Sequence, residues 1–406
     1  MFLFFFPQHE SYRVIAVQTP LLKFPLTPPK GFRVSRTLRS ATFFVAVTCA
    51  LTVFGATSTN YYVATTGSDA NPGTQSAPFR TIKKAASVVN PGTTVHVAPG
   101  TYAESITSTM SGTVSARIRY VSDTKWRAKI VPIKNAITMW RVVGGYTDID
   151  GFQIDGTGGT SVRQGIYLTG GNSTVKNSWV HNVAENSGCD GNGGAGIVAD
   201  QYRGAAFNNY DFVGNLVHDI GGSCHYIQGI YHASSGTVKN NIVYATNYAI
   251  HMHHDHHDID VVNNTVFGNR YYGIYFGGCV AAQNNGCPTS GINIHNNIVY
   301  DNAGGIGGPN DQEDTGNYSI KNNVVFGSRV YADMDLGPNA LSQTSGTIIA
   351  NPQFANYIRT GGGDYRVKNT SPAIDKGLST YAPSTDIDGK ARPLGAGIDT
   401  GAYENY

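Results

Sequence analysis

The chain is 406 residues long, with 49 Gly, 17 Pro and 24 Tyr but only 14% charged residues. So turn-rich a composition excludes a helical bundle or coiled coil, and 40% hydrophobic residues exclude a wholly disordered chain. Residues 1–56 hold six of the 29 basic residues (Arg13, Lys23, Lys30, Arg33, Arg36, Arg39) and one of the 27 acidic ones (Glu10), so the rest carries 23 basic and 26 acidic groups, net −3, with no basic stripe for nucleic acid.

The first 57 residues read as a targeting region. Arg33, Arg36 and Arg39 precede the apolar run Ala41–Phe54, and the small residues Gly55, Ala56, Thr57 and Ser58 follow it as a cleavage region requires. That run is too short for a membrane span, and no later stretch is apolar for about 18 residues. The expectation is an exported, extracellular or periplasmic product comprising residues 58–406, with residues 1–32 left by an upstream misassigned start. Cys49 leaves with the signal, and Cys189, Cys224, Cys279 and Cys287 remain. The expected pairs are Cys279–Cys287 and Cys189–Cys224; zinc is the competing reading, without a CxxC spacing to support it.

Further along, apolar residues at helical spacing and a Pro91-Gly92 stop predict a helix over 78–89, placed to cover the open edge of the first coil. The middle of the chain then repeats itself: Val238-Lys239-Asn240-Asn241-Ile242-Val243-Tyr244 returns at 261–267, 294–300 and 320–326, with degenerate copies at 175–180 and 213–217. The second Asn column, Ser178, Asn215, Asn241, Asn264, Asn297 and Asn323, is spaced by 37, 26, 23, 33 and 26 residues, a solenoid coil with insertions. Each unit carries a second short strand, Gly165-Ile166, Gly196-Ile197, Gly229-Ile230, Ala249-Ile250, Gly273-Ile274 and Gly305-Ile306. Strands this short bury a face only by stacking, so the predicted fold is all-β, a single-domain right-handed parallel β-helix. From about 350 to 406 the repeat is lost, and this irregular segment is read as a C-terminal cap.

The opening Tyr61–Asp69 through Pro99-Gly100-Thr101-Tyr102, the Asn-Asn coils, and the closing Ser371-Pro372-Ala373-Ile374-Asp375 with Gly401-Ala402-Tyr403-Glu404 together resemble the pectate-lyase-like superfamily of secreted right-handed parallel β-helix proteins. That resemblance implies a polysaccharide-degrading or polysaccharide-modifying enzyme of the lyase type. Calcium is the one cofactor it brings in, yet Asp190 is followed by a Gly/Asn run and the Asp-Asp-Gly of calcium-bound lyases does not occur.

Residues beside each Ile point away from the core, so the position after it forms one outward column, Tyr167, Val198, Tyr231, His251, Tyr275 and Gly307. Two positions further lie Thr169, Asp200, Ala233, His253, Gly277 and Pro309. With rungs about 4.8 Å apart and alternate residues about 6.7 Å apart, His251 and His253 reach one sugar and Tyr231 and Tyr275 flank it. These four are the expected catalytic residues. Tyr167, Asp200, Gln228, His232, Tyr248, Arg270 and Tyr272 are expected around the substrate, although His232 has inward parity. The run His251–Asp258 admits two other readings, a zinc or copper site and an exposed polar turn. His254, Asp255, His256 and His257 are assigned to the turn, with Asp258 or Asp260 orienting an imidazole, and no metal site is assigned.

His and Tyr suit β-elimination from a uronic-acid polymer, with activity rising near an unperturbed imidazole pKa, roughly pH 6–7. Glycoside hydrolysis needs a carboxylate pair, for which Asp190, Asp200, Glu185, Asp255 and Asp258 are the sources. A noncatalytic glycan-binding or adhesin β-helix is the third reading. The expected partner is an acidic polysaccharide, bound by a monomer with no stable membrane span.

Overall fold

Segments that alternate apolar and polar residues become short strands, because each buries one row of side chains and leaves the other outside. The computed structural model describes residues 59–189, 193–200, 208–277, 290–309 and 315–405. Among the described residues the strands form three parallel sheets of 11, 10 and 9 strands, visited in that order by each complete coil, and one antiparallel pair, Phe354–Asn356 with Asp364–Val367. One coil runs from Gly236–Lys239 in the first sheet to Ile242–Tyr244 in the second and Ile250–Met252 in the third, then returns to the first at Ile259–Val262. The expected parallel β-helix is therefore observed.

The inward rows are the ones the repeat marks. Val175, Phe212, Val238, Val261, Ile294 and Ile320 stack in the first sheet. Val180, Val217, Val243, Val266, Val299 and Val325 stack in the second. Ile166, Ile197, Ile230, Ile250, Ile274 and Ile306 stack in the third. None of these 18 side chains is more than 1% exposed, so the core is three columns of β-branched and aromatic side chains meeting on one axis.

Between the first and second sheets the chain turns on the Asn pair. The first Asn supplies the left-handed conformation that the bend needs, with φ of 56°, 56°, 57° and 54° at Asn240, Asn263, Asn296 and Asn322. The second points inward and forms a ladder: Asn215 Nδ2 donates to Asn241 Oδ1 at 3.0 Å, Asn241 to Asn264 at 2.9 Å, Asn264 to Asn297 at 2.9 Å and Asn297 to Asn323 at 3.0 Å. Each Oδ1 also accepts a backbone N–H of the neighbouring coil, and Asn264 Nδ2 reaches Val238 O. A second ladder, Thr246 to Asn269 at 2.9 Å and Asn269 to Asn302 at 2.7 Å, stands at the corner between the second and third sheets; the repeat pattern does not announce it.

The ends are closed differently. The helix is shorter than the 78–89 predicted, Ile82–Ala86, because Phe79 is held extended by its N–H to Tyr62 O and by accepting from Ala64 N. Thr81 caps it, and the Glu104 carboxylate accepts from Ile82 N at 3.0 Å and Lys83 N at 2.8 Å. The C-terminal segment lies on the second sheet, where Phe354, Tyr365, Val367 and Ala402 pack against Ile242, Tyr244, Phe267 and Ile298. It is fastened by the outward Asn of each pair: Asn240 Nδ2 donates to Thr385 O, Asn263 to Asp399 O and Gly401 O, Asn296 to Leu378 O and Asn322 to Lys376 O. Cys189 and Cys224 form a disulfide, while the expected Cys279–Cys287 pair and the targeting region 1–57 lie outside the described residues. No helix among the described residues is long and apolar enough to cross a membrane.

Asn264 is fully buried and bonded to the coils on both sides. Asn264→Leu strands those partners and should cost about 1–3 kcal/mol, read as a lowered denaturation midpoint; an unchanged midpoint would mean that the ladder does not stabilise the stack.

Candidate active site

The outer face of the third sheet carries the column read from the sequence, in the expected register and extended at both ends. Strand pairing aligns Thr107, Arg141, Tyr167, Val198, Tyr231, His251, Tyr275, Gly307 and Asp335. A parallel column aligns Thr138, Gln164, Ala195 and Gln228, with Tyr248 beside Gln228 on the next coil. Over the middle of these columns lies a cleft of about 520 Å³, lined by Gln164, Val198, Asp200, Gln228, Tyr231, Tyr248, His251, His253 and His254, with Gly193, Gly194, His225 and Tyr226 along one side. Its size falls in the ~300–1,000 Å³ range of small-molecule sites. The Cys189–Cys224 bond ties together the two loops that carry Gly193 and His225-Tyr226.

His251 sits among aromatic rings. Tyr248 stacks on it at 4.7 Å and 20° between planes, and Tyr231 and Tyr275 meet it edge-on at 5.7 and 5.5 Å. Its ring is half-buried, yet both nitrogens are shut off from solvent and have no hydrogen-bond partner among the described residues. Burial first, and then the neighbouring His253, His256 and His254, hold its pKa well below the usual 6.5. His253, with its ring centre 5.3 Å away, is held down at about 4 by burial and then by His254. The Tyr231 hydroxyl is bonded to His254 Nδ1 at 2.5 Å, and burial, then Asp200 and Asp255, raise its pKa strongly. Tyr167, bonded to Asp200 at 3.5 Å, is raised to about 12 by burial and then by that carboxylate. Gln164 Oε1 accepts from Thr138 Oγ1 at 2.5 Å, which leaves its amide N–H groups for the cleft. The centre is thus built from neutral imidazoles and neutral phenols.

Several expectations are corrected by this geometry. His232 is fully buried inside the coil, where Nε2 meets Tyr210 O at 3.2 Å and the ring packs on Phe212, so it is not among the residues lining the cleft. Arg270 stands at the corner between the second and third sheets, with NH1 3.4 Å from Asn247 Oδ1, outside the cleft lining. Tyr272 is turned toward Asp335, which its hydroxyl bonds, and stacks on Tyr331 at 4.9 Å. Tyr275 touches His251 but does not line the cleft. His254, assigned to the turn, lines the cleft instead, because a left-handed φ of 57° folds it back toward Tyr231. Asp260 is engaged by Lys239 and Asn293 rather than by an imidazole, and Asp258 is exposed. Asp190 lies outside the described residues. Gln164, His225, Tyr226 and His254 were not found by sequence reasoning; of these, only Gln164 had a readable signal, its register with Gln228 two residues before the Ile.

Calcium does not fit this donor set. A calcium ion takes six to eight oxygen ligands with several carboxylates, whereas Asp200 is the one carboxylate among the described residues lining the cleft. No group of three or more His, Cys, Asp or Glu among the described residues is placed to hold a metal ion.

Comparison with known proteins bears on the fold. A family model described as the Pel9A-like right-handed β-helix region matches residues 61–229. The solved pectate lyase Pel9A aligns over 87% of this chain and 98% of its own, with a TM-score of 0.56 at 16% identity. A rhamnogalacturonan lyase aligns over 68% and 70%, with a TM-score of 0.46 at 14% identity. A mannuronan C-5 epimerase A-module of Azotobacter vinelandii aligns over 71% and 78%, with a TM-score of 0.45 at 17% identity. No curated protein sequence matches the chain.

Burial lowers the pKa of His232, His253 and His256 to about 4, 4 and 3, and lowers His251 as well. Each therefore takes up protons more readily unfolded than folded, so the stability tied to their neutral forms is complete above pH 6.5 and is lost as pH falls from 6.5 toward about 4. Denaturation midpoints across that interval should decline steeply, and His256→Gln should flatten the decline. A pH-independent midpoint would show that these rings are solvated.

Proposed function

Starting from the premise that the chain is a pectate-lyase-like right-handed β-helix protein, we propose that the cleft cleaves a uronic-acid-containing polysaccharide by β-elimination. The observation that carries this reading is His251, a neutral imidazole whose nitrogens have no partner among the described residues, set against tyrosines on three sides. A base of this kind takes the C5 proton α to the uronate carboxylate; the C–H electron pair forms the C4=C5 double bond, the C4–O4 bond breaks, and O4 takes a proton from an acid. Tyr231 is that acid. Its raised pKa keeps the phenol protonated, and its bond to His254 supplies a route for restoring the proton. Gln164 and Gln228 offer amide donors to the carboxylate, whose negative charge grows in the transition state. An anionic substrate in this dry site also raises the pKa of His251 toward the working range, so the base strengthens when substrate is present.

Hydrolysis through two carboxylates is the weaker reading, since Asp200 alone among the described lining residues is acidic. A panel of uronate and neutral polysaccharides, followed both by the ultraviolet absorbance of the unsaturated uronate and by reducing ends, separates the outcomes. Elimination gives both signals, hydrolysis gives reducing ends alone, and a binding protein gives neither. His251→Ala should lower turnover by about 10²–10⁴-fold without unfolding the stack.

The pH profile is a further test. Because burial holds His251 well below 6.5, kcat/KM, which reports the free enzyme, should be flat through pH 6–7 and fall only at pH well below 6.5. An acid limb centred near 6.5 would assign catalysis to an ordinary solvated histidine instead.

A further inference from the structure

The column that carries His251 is electrically polar along the helix axis. At its N-terminal side stands Arg141, exposed, with its guanidinium 5.7 Å from the centre of the Tyr167 ring and with no ion pair or hydrogen bond to another described residue. At its C-terminal side stands Asp335, which holds the Tyr272 hydroxyl. Between Arg141 and His251 the aligned positions are Tyr167, Val198 and Tyr231, so the separation is four rungs, about 19 Å. Among the described residues the cleft extends from His251 in that same direction, since its lining reaches Val198, Asp200 and Gln164 and includes none of Tyr272–Phe276. On the other side the space above the coil is filled: a Cβ on Gly307 would lie 2.6 Å from the Tyr272 ring and 2.8 Å from that of Tyr275.

We infer that Arg141 is a distal carboxylate subsite, which holds a uronate several sugars from the reacting bond and so sets the direction in which an acidic oligosaccharide lies, from His251 toward the N-terminal coils. This rests on the reading of the cleft as a uronan site. A guanidinium held over a ring at 5.7 Å keeps its charge on the outer face of the column, and a carboxylate meets the planar fork of an arginine with two parallel hydrogen bonds. Val198, the smallest of the three positions between Arg141 and His251, lines the cleft between the two tyrosines, and Asp200 and Gln164 offer partners for the hydroxyls of a sugar there.

The test measures binding of oligouronates of increasing length by calorimetry in a His251→Ala background, where the ligand is not consumed. Affinity should climb with length and then step up once the chain reaches Arg141. Adding Arg141→Ala should remove that step, about 5- to 30-fold, and leave short fragments unaffected; Arg141→Lys should restore part of it. Equal affinities with and without Arg141 at every length would overturn the subsite, as would an equal loss for short and long fragments, which signals a general effect on the fold. Failure of every oligouronate to bind would instead overturn the uronan reading itself, and the subsite with it.

Discussion

One buried amide per coil fixes the position of everything else. The inward Asn at the first corner bonds the coil before it and the coil after it through the same side chain, so neighbouring coils cannot slide without stranding donors in the core. Hydrophobic stacking alone would tolerate a shift, because Val on Ile is as good as Ile on Val. A slip of two residues, which keeps the same face inside, would carry His251 about 6.7 Å along the strand, away from Tyr231 and Tyr275. The geometry of the cleft on the third sheet is therefore inherited from a ladder on the opposite edge of the coil, whose members are not among the residues lining the cleft.

The cleft shows how far burial can tune chemistry. His251 and His253 are pushed toward the neutral form and Tyr231 and Tyr248 toward the protonated form first by loss of water and then by neighbouring ionisable groups. By contrast, the C-terminal cover keeps charge inside: Arg392 and Glu404 pair at 2.6 Å with both side chains fully buried, joined by backbone partners at Asp399 and Gly401. There the ions complete one another and fix a chain path, which a neutral apolar pair could not specify so narrowly.

What could be read from sequence follows from which side chains have their direction set by a period. The Ile column, the Asn corner and the outward run from Tyr167 to Gly307 were legible because alternation in a strand decides inside from outside, and the structure reproduces their register. The same logic gave His232 its inward parity, which tells more than its place beside Tyr231 does. Residues at corners have no such rule. His254 returns to the cleft through a positive φ, and His225 and Tyr226 arrive on a loop held by Cys224. Arg270 and Tyr272 fail for the related reason that a corner aims one at Asn247 and a distant strand captures the other. The second ladder has no such mark, because Asn269 and Asn302 stand singly rather than in an Asn-Asn pair and Thr246 takes the first place.

The outward Asn of each pair has a consequence for how such a chain changes over evolutionary time. A repeated coil invites duplication, since any copy of about one turn would find the same ladder above and below it. Yet the C-terminal segment is matched to four consecutive corners, with the carbonyls of Thr385, Asp399, Leu378 and Lys376 each answering one particular Asn. An extra coil inserted among those four would put the spacing of the two partners out of step, whereas one inserted nearer the N-terminus would leave the match untouched. The segment acts as a ruler laid along the last coils, and growth of the solenoid is confined to the end that it does not measure.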